Sequence, residues 1–258
     1  MAATYLDKIL DRHRDVADAD NRSFEQLLDE ARSLPPTRGF CSALAGRARL
    51  GVVAEIKRRS PSKGDLAIGL DPATWAATYE RGGATCMSVL TDVEHFGGSV
   101  DDLRVARAAC SLPVIRKDFT VSERDVLDTR IMGADCVLLI AAALEPAELA
   151  AFHALAIDIG LDVLVEIHDE AELEHALAAK ATLIGVNQRD LVTFQVDHER
   201  AVRMAGVIPD QAVKVAESGV RDRTDAQSLR EAGYDAVLVG EMIVTSSDPA
   251  AAIADLIA

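Results

Sequence analysis

The chain has 258 residues, of which 49% are apolar, and it carries a formal net charge of −15 at pH 7. This length and apolar content are sufficient for one eight-stranded α/β barrel. The acidic balance argues against a nucleic-acid-binding surface, because the one basic cluster, Lys57-Arg58-Arg59, directly follows an apolar run and does not lie on a tail. We therefore expect no nucleic-acid partner.

The N-terminal part of the chain predicts helices before the first strand. Two helical patterns occur there, over 5–14 and 24–32. We interpret residues 1–48 as a helical extension packed on the domain that follows. The sequence leaves open whether this extension covers the bottom of that domain or borders its active site.

Eight short apolar runs follow, each separated from the next by a loop and a helical pattern. Most are rich in Val, Ile and Leu and contain few charges, which is typical of parallel strands buried on both faces. Eight repeats favour a closed barrel over an open doubly wound sheet, which would leave two edges. We predict one α/β domain over 1–258, a (β/α)8 or TIM barrel with residues 1–48 as an N-terminal helical extension. The predicted strands are Val52–Ile56, Thr85–Leu90, Pro113–Ile115, Cys136–Ile140, Asp162–Val165, Thr182–Val186, Val213–Ala216 and Ala236–Val239.

Local signals mark the ends of the intervening helices. Capping residues precede four of them, in two cases followed by a proline at the first helical position. Glycines stand where several helices must stop, shortly before the next strand. The predicted N-caps are Asp71, Ser99, Ser122 and Asp248, and the glycines are Gly82-Gly83, Gly133 and Gly233.

Charged and amide side chains occur at the carboxyl ends of five predicted strands. Because side chains alternate along a strand, Glu55 and Lys57 point the same way, into the mouth of the barrel. Each residue alone has an alternative interpretation as the start of a solvated loop. Two lysines and three carboxylates from separate strands would, however, form a coupled cluster of the kind that performs acid–base chemistry. The full set is Glu55, Lys57, Lys117, Glu166, Asn187 and Glu217.

Glycines after the last two strands predict a phosphate site. Ser218-Gly219 and Gly240-Glu241 lie in the two loops that most often hold phosphate in this architecture. Glycine is also common in such loops for turn geometry alone. If an anion binds there, the side chain of Glu241 has to turn away. The loop over 58–69 is long and contains Ser60, which indicates a lid or a binding segment, with a surface insertion as the alternative.

The remaining sequence features bear on location. The N-terminus lacks the charged-then-apolar pattern of a signal peptide, and no apolar stretch reaches the roughly 18 residues of a membrane helix. Cysteines occur at 41, 86, 110 and 136 without metal-binding spacing, which predicts buried thiols in a reducing compartment. We expect a cytoplasmic protein with no membrane partner.

Eight segments, in order and across essentially the whole chain, resemble the indole-3-glycerol-phosphate synthase family. Several of them are specific individually, such as the sequence from Ala54 to Gly64, with its Glu-Ile-Lys and Ser-Pro-Ser elements. The segments are Ala54–Gly64, Ser88–Asp92, Phe96–Ser99, Pro113–Phe119, Leu164–His168, Gly185–Leu191, Ala216–Val220 and Val239–Glu241.

The resemblance implies a carboxy-lyase of tryptophan biosynthesis. Its reaction closes the ring of 1-(2-carboxyphenylamino)-1-deoxyribulose 5-phosphate to give indole-3-glycerol phosphate, with loss of CO₂ and water. By resemblance, Lys117 protonates the ketone oxygen as an aromatic carbon attacks. Lys57 and Glu166 serve the later steps, with the acid of dehydration left open between them. Glu55 would hold the lysines charged and oriented.

The resemblance also implies substrate contacts. Asn187, Glu217 and Ser218 would position the sugar-derived hydroxyl groups or their neighbours. Either Arg189 or Lys57 would contact the substrate carboxylate. The apolar wall that contacts the aromatic ring of the substrate would be formed by Phe96, Phe119, Leu191, Phe194 and Leu238, with core packing as the alternative for each. The other predicted binding residues are Ser60, Gly219, Gly240 and Glu241. No step needs redox chemistry or an electron sink, and no metal-ligand cluster is evident, so we expect no cofactor and no metal.

Some alternatives stay open. Phosphoribosylanthranilate isomerase and the tryptophan synthase α subunit share glycine-bearing phosphate loops, but they do not require Glu55, Lys57 and Lys117 together. A non-catalytic paralogue that binds phosphate ligands or serves as a partner subunit would not need the charged set. After Phe119 the family commonly has a Tyr-Gln pair where this chain has Arg124-Asp125, which we expect to affect positioning and not the reaction itself. A monomer and a weak homodimer are both compatible with the sequence.

Overall fold

The computed structural model describes residues 4–257, so the predicted domain limits, residues 1 and 258, lie outside the described part. Eight parallel strands close into a barrel, each paired with its neighbours along the chain and the last paired with the first. This arrangement confirms the predicted (β/α)8 TIM barrel with helices at its N-terminus. The strands are β1 (Gly51–Ile56), β2 (Cys86–Leu90), β3 (Val114–Lys117), β4 (Cys136–Ile140), β5 (Asp162–Ile167), β6 (Leu183–Asn187), β7 (Val213–Glu217) and β8 (Ala236–Val239).

Helices surround the barrel and precede it. Helix α1 is longer than the pattern over 5–14 predicted, and the short helix α3 was not predicted. A two-residue ladder of Arg59–Ser60 with Gly64–Asp65 folds the loop after β1 back on itself. The helices are α1 (Tyr5–Asp18), α2 (Phe24–Ser33), α3 (Phe40–Leu44), α4 (Pro72–Arg81), α5 (Val93–Phe96), α6 (Val100–Ala108), α7 (Glu123–Ile131), α8 (Pro146–Asp158), α9 (Glu170–Ala178), α10 (Arg200–Ala205), α11 (Arg223–Glu231), α12 (Glu241–Val244) and α13 (Pro249–Ile257).

The predicted helix caps are confirmed. Asp71, Ser99, Ser122 and Asp248 each accept a hydrogen bond from a backbone N–H in the first turn of the following helix. Gly133 and Gly233 follow helices α7 and α11 with φ of 97° and 99°. This left-handed conformation reverses the chain towards the next strand and strongly favours glycine.

The Arg124-Asp125 pair contributes to a helix start and to docking of the extension. Asp125 accepts a hydrogen bond from the backbone N–H of Ser122 at 3.0 Å, and Ser122 Oγ accepts one from the Asp125 N–H at 3.2 Å, which forms a capping box. Arg124 Nε donates to the carbonyl of Arg22, between α1 and α2. Neither Arg124 nor Asp125 lines the large cavity at the barrel mouth.

We expect Ser122→Ala to lower the free energy of unfolding by about 1 kcal/mol, because a backbone N–H of α7 loses its partner. Urea unfolding measures the change. Ser228→Ala, at an exposed position inside α11, is the control and is expected to change stability by less than about 0.5 kcal/mol. Equal stability of the two variants would contradict the capping role of Ser122.

Side chains that point into the barrel change character along the strands. At the N-terminal ends they are apolar, as at Val53, Cys86 and Ile115, and they form one buried cluster with the next apolar layer. Two residues further along, at the carboxyl ends, the inward positions of the same three strands hold Glu55, Ser88 and Lys117. The barrel therefore has a packed base and a polar mouth.

The N-terminal extension reaches both ends of the barrel. Helix α3 closes the base, where Phe40 and Leu44 are fully buried in the interior cluster and the Cys41 N–H donates to Asp162 at the start of β5. Helix α1 lies at the opposite end, where Leu6 and Ile9 line the cavity of the mouth. Both placements that the sequence left open are thus occupied, by different helices.

The cysteines only partly follow the prediction. Cys86 and Cys136 are buried in strands, and burial raises the pKa of both thiols. Cys41 and Cys110 are partly exposed because they lie outside the strands. Among residues 4–257, no helix combines the length and apolar character needed to cross a membrane.

Candidate active site

A cavity of about 890 Å³ opens at the carboxyl ends of the strands. Every residue predicted for the site lines it, including those from the loops after β1, β6, β7 and β8. These residues are Glu55, Lys57, Ser60, Phe96, Lys117, Phe119, Glu166, Asn187, Arg189, Leu191, Glu217, Ser218, Gly219, Leu238, Gly240 and Glu241. The structure thus brings together side chains that lie up to 186 positions apart in sequence, the difference between 55 and 241.

The charged side chains form two adjoining groups. Lys117 Nζ lies 2.9 Å from Glu166 Oε2 and 3.4 Å from Glu217 Oε2. Lys57 Nζ lies 2.5 Å from Glu55 Oε2. Asn187 Nδ2 donates to Glu166 Oε1 at 3.0 Å, which fixes the second oxygen of that carboxylate. The three carboxylates are almost completely buried.

This arrangement shifts the proton affinities of the central groups. Burial lowers the pKa of Lys117, but the facing carboxylates outweigh burial and raise it overall. Burial raises the pKa of Glu166, but the charges of Lys117 and His168 lower it overall. For Glu217, burial and the neighbouring negative charges raise the pKa despite Lys117. The shorter contact with Lys117 favours Glu166 as the ionised carboxylate, so an ammonium, a carboxylate and a protonated carboxyl lie side by side.

Strand register and one glycine make this cluster possible. Asn187 pairs with Glu217 across β6 and β7, and Glu166 pairs with Gly185 across β5 and β6. A Cβ added at Gly185 would lie 2.1 Å from Glu217 Oε1, so the missing side chain leaves the space that the carboxylate fills. The predicted strands end at Ile115 and Val186, which leaves Lys117 and Asn187 outside them. They are instead the last strand residues, because ladder pairing with β2 and β7 continues through them.

The two predicted phosphate loops border the same cavity. Ser218 and Gly219 have φ of 64° and 79°, a pair of left-handed residues that turns the chain sharply after β7. Beside Gly240 the space is tight, since an added Cβ would lie 2.4 Å from Glu55 Oε2. Glu241 forms an ion pair with Lys63 at 3.1 Å and is 41% exposed, so its carboxylate turns towards solvent as an anion site would require.

An apolar wall faces the charged cluster. The rings of Phe96 and Phe119 lie 6.3 Å apart, and Phe194 packs against Tyr5 of α1 at 5.4 Å. Arg189 donates to the carbonyl of Phe194 at 3.0 Å and its side chain lines the cavity. One side of the cavity is thus suited to an aromatic ring.

Several lining or supporting residues were not predicted. Ser88 Oγ donates to Glu55 Oε1 at 3.4 Å, and its inward position two residues before Leu90 could have been found from strand alternation. Lys63 belongs to the loop over 58–69, for which the sequence indicates a lid or binding segment, or else a surface insertion. No sequence signal indicates that Tyr5 and Ile9 of α1 lie over the mouth, because this contact depends on how the extension packs.

The structure also brings together three possible metal ligands that are far apart in the sequence and were not predicted. Ligand atoms of His13, Asp92 and Asp118 lie within 4.8 Å of one another. Asp92 already accepts hydrogen bonds from the backbone N–H and the ring of His95. Asp118 accepts one from the guanidinium of Arg116. Because these carboxylate oxygens already accept hydrogen bonds and the Arg116 guanidinium lies beside them, the three residues are better suited to a hydrogen-bonded network than to binding a divalent metal ion. The network ties α1 to the start of helix α5, which contains Phe96, and to the loop that contains Phe119.

Comparison with known proteins gives matches over nearly the whole chain. The family described as Indole-3-glycerol phosphate synthase matches residues 6–256. A protein of Bordetella pertussis named indole-3-glycerol phosphate synthase is 48% identical over 240 residues, covering 92% of each chain. Indole-3-glycerol phosphate synthase 2 of Streptomyces coelicolor is 49% identical over 236 residues, covering 92% of this chain and 91% of that protein.

Solved structures support the fold. The 3-hexulose-6-phosphate synthase of Salmonella typhimurium superposes with a TM-score of 0.63 at 15% identity, covering 80% of this chain and 96% of that one. A thiamine phosphate pyrophosphorylase of Pyrococcus furiosus superposes with a TM-score of 0.59 at 15% identity, covering 80% and 93%. At this identity the similarity concerns the barrel alone. Together, the family match over nearly the whole length and the relatives near 48% identity establish that the chain belongs to the indole-3-glycerol phosphate synthase family.

Proposed function

We propose that this chain is an indole-3-glycerol-phosphate synthase, a carboxy-lyase of tryptophan biosynthesis. It converts 1-(2-carboxyphenylamino)-1-deoxyribulose 5-phosphate to indole-3-glycerol phosphate, CO₂ and water. The observation that carries the proposal is the Lys117 ammonium, which contacts both Glu166 and Glu217 in a cavity that also has the apolar wall. Family membership supplies the reaction, and the site supplies groups suited to each of its steps.

Ring closure requires an acid at the ketone oxygen of the substrate. In the proposed mechanism Lys117 donates this proton as the aromatic carbon attacks the carbonyl carbon. Its neighbours keep the amine protonated before the reaction, because neutralising Lys117 would leave negative charge uncompensated at Glu166. The attacking ring carbon also bears the carboxylate, so loss of CO₂ breaks that C–C bond and returns its electron pair to the aromatic ring, which regains aromaticity.

Dehydration requires a second acid and a base. Lys57 lies beside Glu55 at the first strand and protonates the departing hydroxyl, while ionised Glu166 removes the proton whose loss restores aromaticity. Glu55 keeps Lys57 oriented. Glu217, protonated, and Asn187 and Ser218 hold the hydroxyl groups of the sugar-derived chain.

Binding divides the substrate between the two sides of the cavity. The phosphate lies against the backbone at Gly219 and Gly240, because neither residue has a side chain of its own between an anion and the backbone N–H groups. The ring lies on the wall that contains Phe96 and Phe119, and Arg189 contacts the ring carboxylate.

In this proposal the enzyme is one domain, acts in the cytoplasm as a monomer or weak homodimer, and uses no cofactor, nucleic acid or membrane. Light scattering after gel filtration would distinguish the two oligomeric states.

The experiment that tests the function is steady-state appearance of indole fluorescence. Purified protein is treated with a chelator and mixed with the carboxyphenylamino-deoxyribulose phosphate. Turnover under these conditions supports both the reaction and its independence from metal. Tight binding of the substrate without turnover would contradict the proposal and support a phosphate-binding paralogue.

Lys63 allows a test of the phosphate loop. Lys63→Ala removes the partner of Glu241 and leaves that carboxylate uncompensated beside the proposed phosphate site. We expect KM to rise roughly two- to fivefold with kcat unchanged, a size typical of partly exposed charges. The double variant Lys63→Ala/Glu241→Gln is expected to recover the wild-type KM. A double variant as weak as the single one would show that Lys63 acts independently of Glu241.

A further inference from the structure

His168 follows β5 directly, two residues after Glu166, and does not line the cavity. Its side chain is 11% exposed. Two hydrogen bonds fix it to Glu172 of α9, because both His168 Nδ1 and the His168 backbone N–H approach Glu172 Oε2, at 3.0 and 2.7 Å. A carboxylate only accepts hydrogen bonds, so Nδ1 carries a proton. The orientation of the imidazole is therefore set from outside the active site.

The other ring nitrogen faces the catalytic cluster. His168 Nε2 lies 3.8 Å from Glu166 Oε1, and it is buried without a hydrogen-bond partner in the described part of the chain. Glu166 Oε1 already accepts from Asn187. A second proton on the imidazole would thus place a positive charge against the back of the carboxylate that also binds Lys117.

The surrounding carboxylates can balance that charge. Glu55, Glu166 and Glu217 carry three negative charges when ionised, against two positive charges on Lys57 and Lys117, and the proton on Glu217 balances these five groups. A further proton on His168 is balanced by the carboxylate of Glu172, 3.0 Å from Nδ1.

The groups around His168 favour its charged form. Burial lowers the pKa of His168, but the hydrogen bond that its imidazole donates to Glu172 and the charges of Glu166 and Glu172 raise it overall. Arg200 opposes them from the start of α10, where its guanidinium donates to the Asn187 carbonyl at 2.9 Å. The imidazolium is therefore present at low pH and is lost as the pH rises through the raised value.

We propose that His168, oriented by Glu172, is a positioning residue whose imidazolium holds the Glu166 carboxylate ionised and aligned with Lys117 and Asn187. The proposal rests on the proposed function, in which Glu166 is the base. Because His168 does not touch the cavity, it acts through Glu166 and leaves substrate binding unchanged. The rate of turnover, and not substrate affinity, therefore depends on its charge.

The kinetic test follows kcat and KM from about pH 5.5 to about pH 9, on either side of the ordinary histidine pKa. For the wild type we expect kcat to fall as the pH rises above the ordinary histidine pKa and His168 loses its charge. His168→Asn is expected to lose about tenfold in kcat at low pH, to lack that step in the profile, and to keep KM within about twofold. His175→Asn, at an exposed position on α9, is the matched control and is expected to match the wild type.

A second measurement needs neither substrate nor turnover, so it gives a result even if the His168→Asn variant does not fold. The pKa of His168 can be followed by NMR of the imidazole in the intact protein. We expect a value above 6.5 in the wild type that falls in Glu172→Gln and stays unchanged in Glu174→Gln, an exposed glutamate on the same helix.

Two results would overturn the proposal. One is a His168→Asn profile that runs parallel to the wild-type profile at all pH values, since a merely structural role lowers the rate uniformly. The other is a His168 pKa at or below 6.5 that does not respond to Glu172→Gln. Absence of turnover in the wild type would instead contradict the proposed function, and the NMR measurement would still decide whether His168 is charged beside Glu166.

Discussion

Lys117→Ala is expected to lower kcat by about 10²- to 10⁴-fold, the range contributed by a general acid. The substitution removes the ammonium that faces Glu166 at 2.9 Å and Glu217 at 3.4 Å, so no group remains at that point to protonate the ketone. Product affinity, measured by the fluorescence of bound indole-3-glycerol phosphate, is expected to stay within a few-fold because the phosphate loops and the apolar wall are untouched.

Lys8→Ala, on the exposed side of α1, is the control for loss of a lysine charge and is expected to leave kcat unchanged. Circular dichroism and thermal unfolding would show whether Lys117→Ala keeps the fold despite two buried carboxylates left without their cation. A folded Lys117→Ala variant with less than a tenfold loss of kcat would rule out Lys117 as the acid. An equal loss of product affinity would assign it to binding.

Gly185→Ala tests the cluster from the backbone. The new methyl group would lie 2.1 Å from Glu217 Oε1 and 3.2 Å from Leu164 Cδ1, so the buried carboxylate has to leave the position in which it contacts Lys117. We expect a loss of kcat of about a hundredfold, as for removal of one preorganised polar contact, and a loss of about 1–3 kcal/mol in unfolding free energy from overpacking. Steady-state kinetics and urea unfolding measure the two effects.

The chain offers a matched control and a compensating change. Gly206 has open space around it and follows α10, so Gly206→Ala is expected to leave both stability and kcat near the wild type. Gly185→Ala combined with Glu217→Ala removes the clash, and we expect it to regain stability but not activity. If Gly185→Ala alone kept full activity, the position of Glu217 would not matter for turnover.

The sequence predicted most of the barrel because its strands are short apolar runs with clear boundaries. Strand alternation was enough to predict that the side chains of Glu55 and Lys57 point into the mouth of the barrel. The positions of the last strand residues were less accurate. Pairing with neighbouring strands extends β3 through Lys117 and β6 through Asn187. The sequence of one strand does not show how far its neighbour continues to pair with it.

The unpredicted parts depend on contacts between distant segments. His13, Asp92 and Asp118 come from α1 and from two loops, and their convergence cannot be read from spacing along the chain. Likewise, the place of His168 beside Glu166 follows from alternation along β5, but its tether to Glu172 depends on the first turn of α9. Local pattern therefore identified the residues that carry the proposed chemistry better than those that support them.

The two contacts of the N-terminal extension have a consequence for amide hydrogen exchange. Helix α3 is sealed into the barrel base by Phe40 and Leu44, both 0% exposed, so its amides are expected to exchange only when the whole barrel unfolds. Helix α1 buries little beyond Leu6 and Ile9 and is expected to open separately at a lower free energy. A ligand in the mouth would contact α1 and slow its exchange, while leaving the amides of α3 to report on global stability.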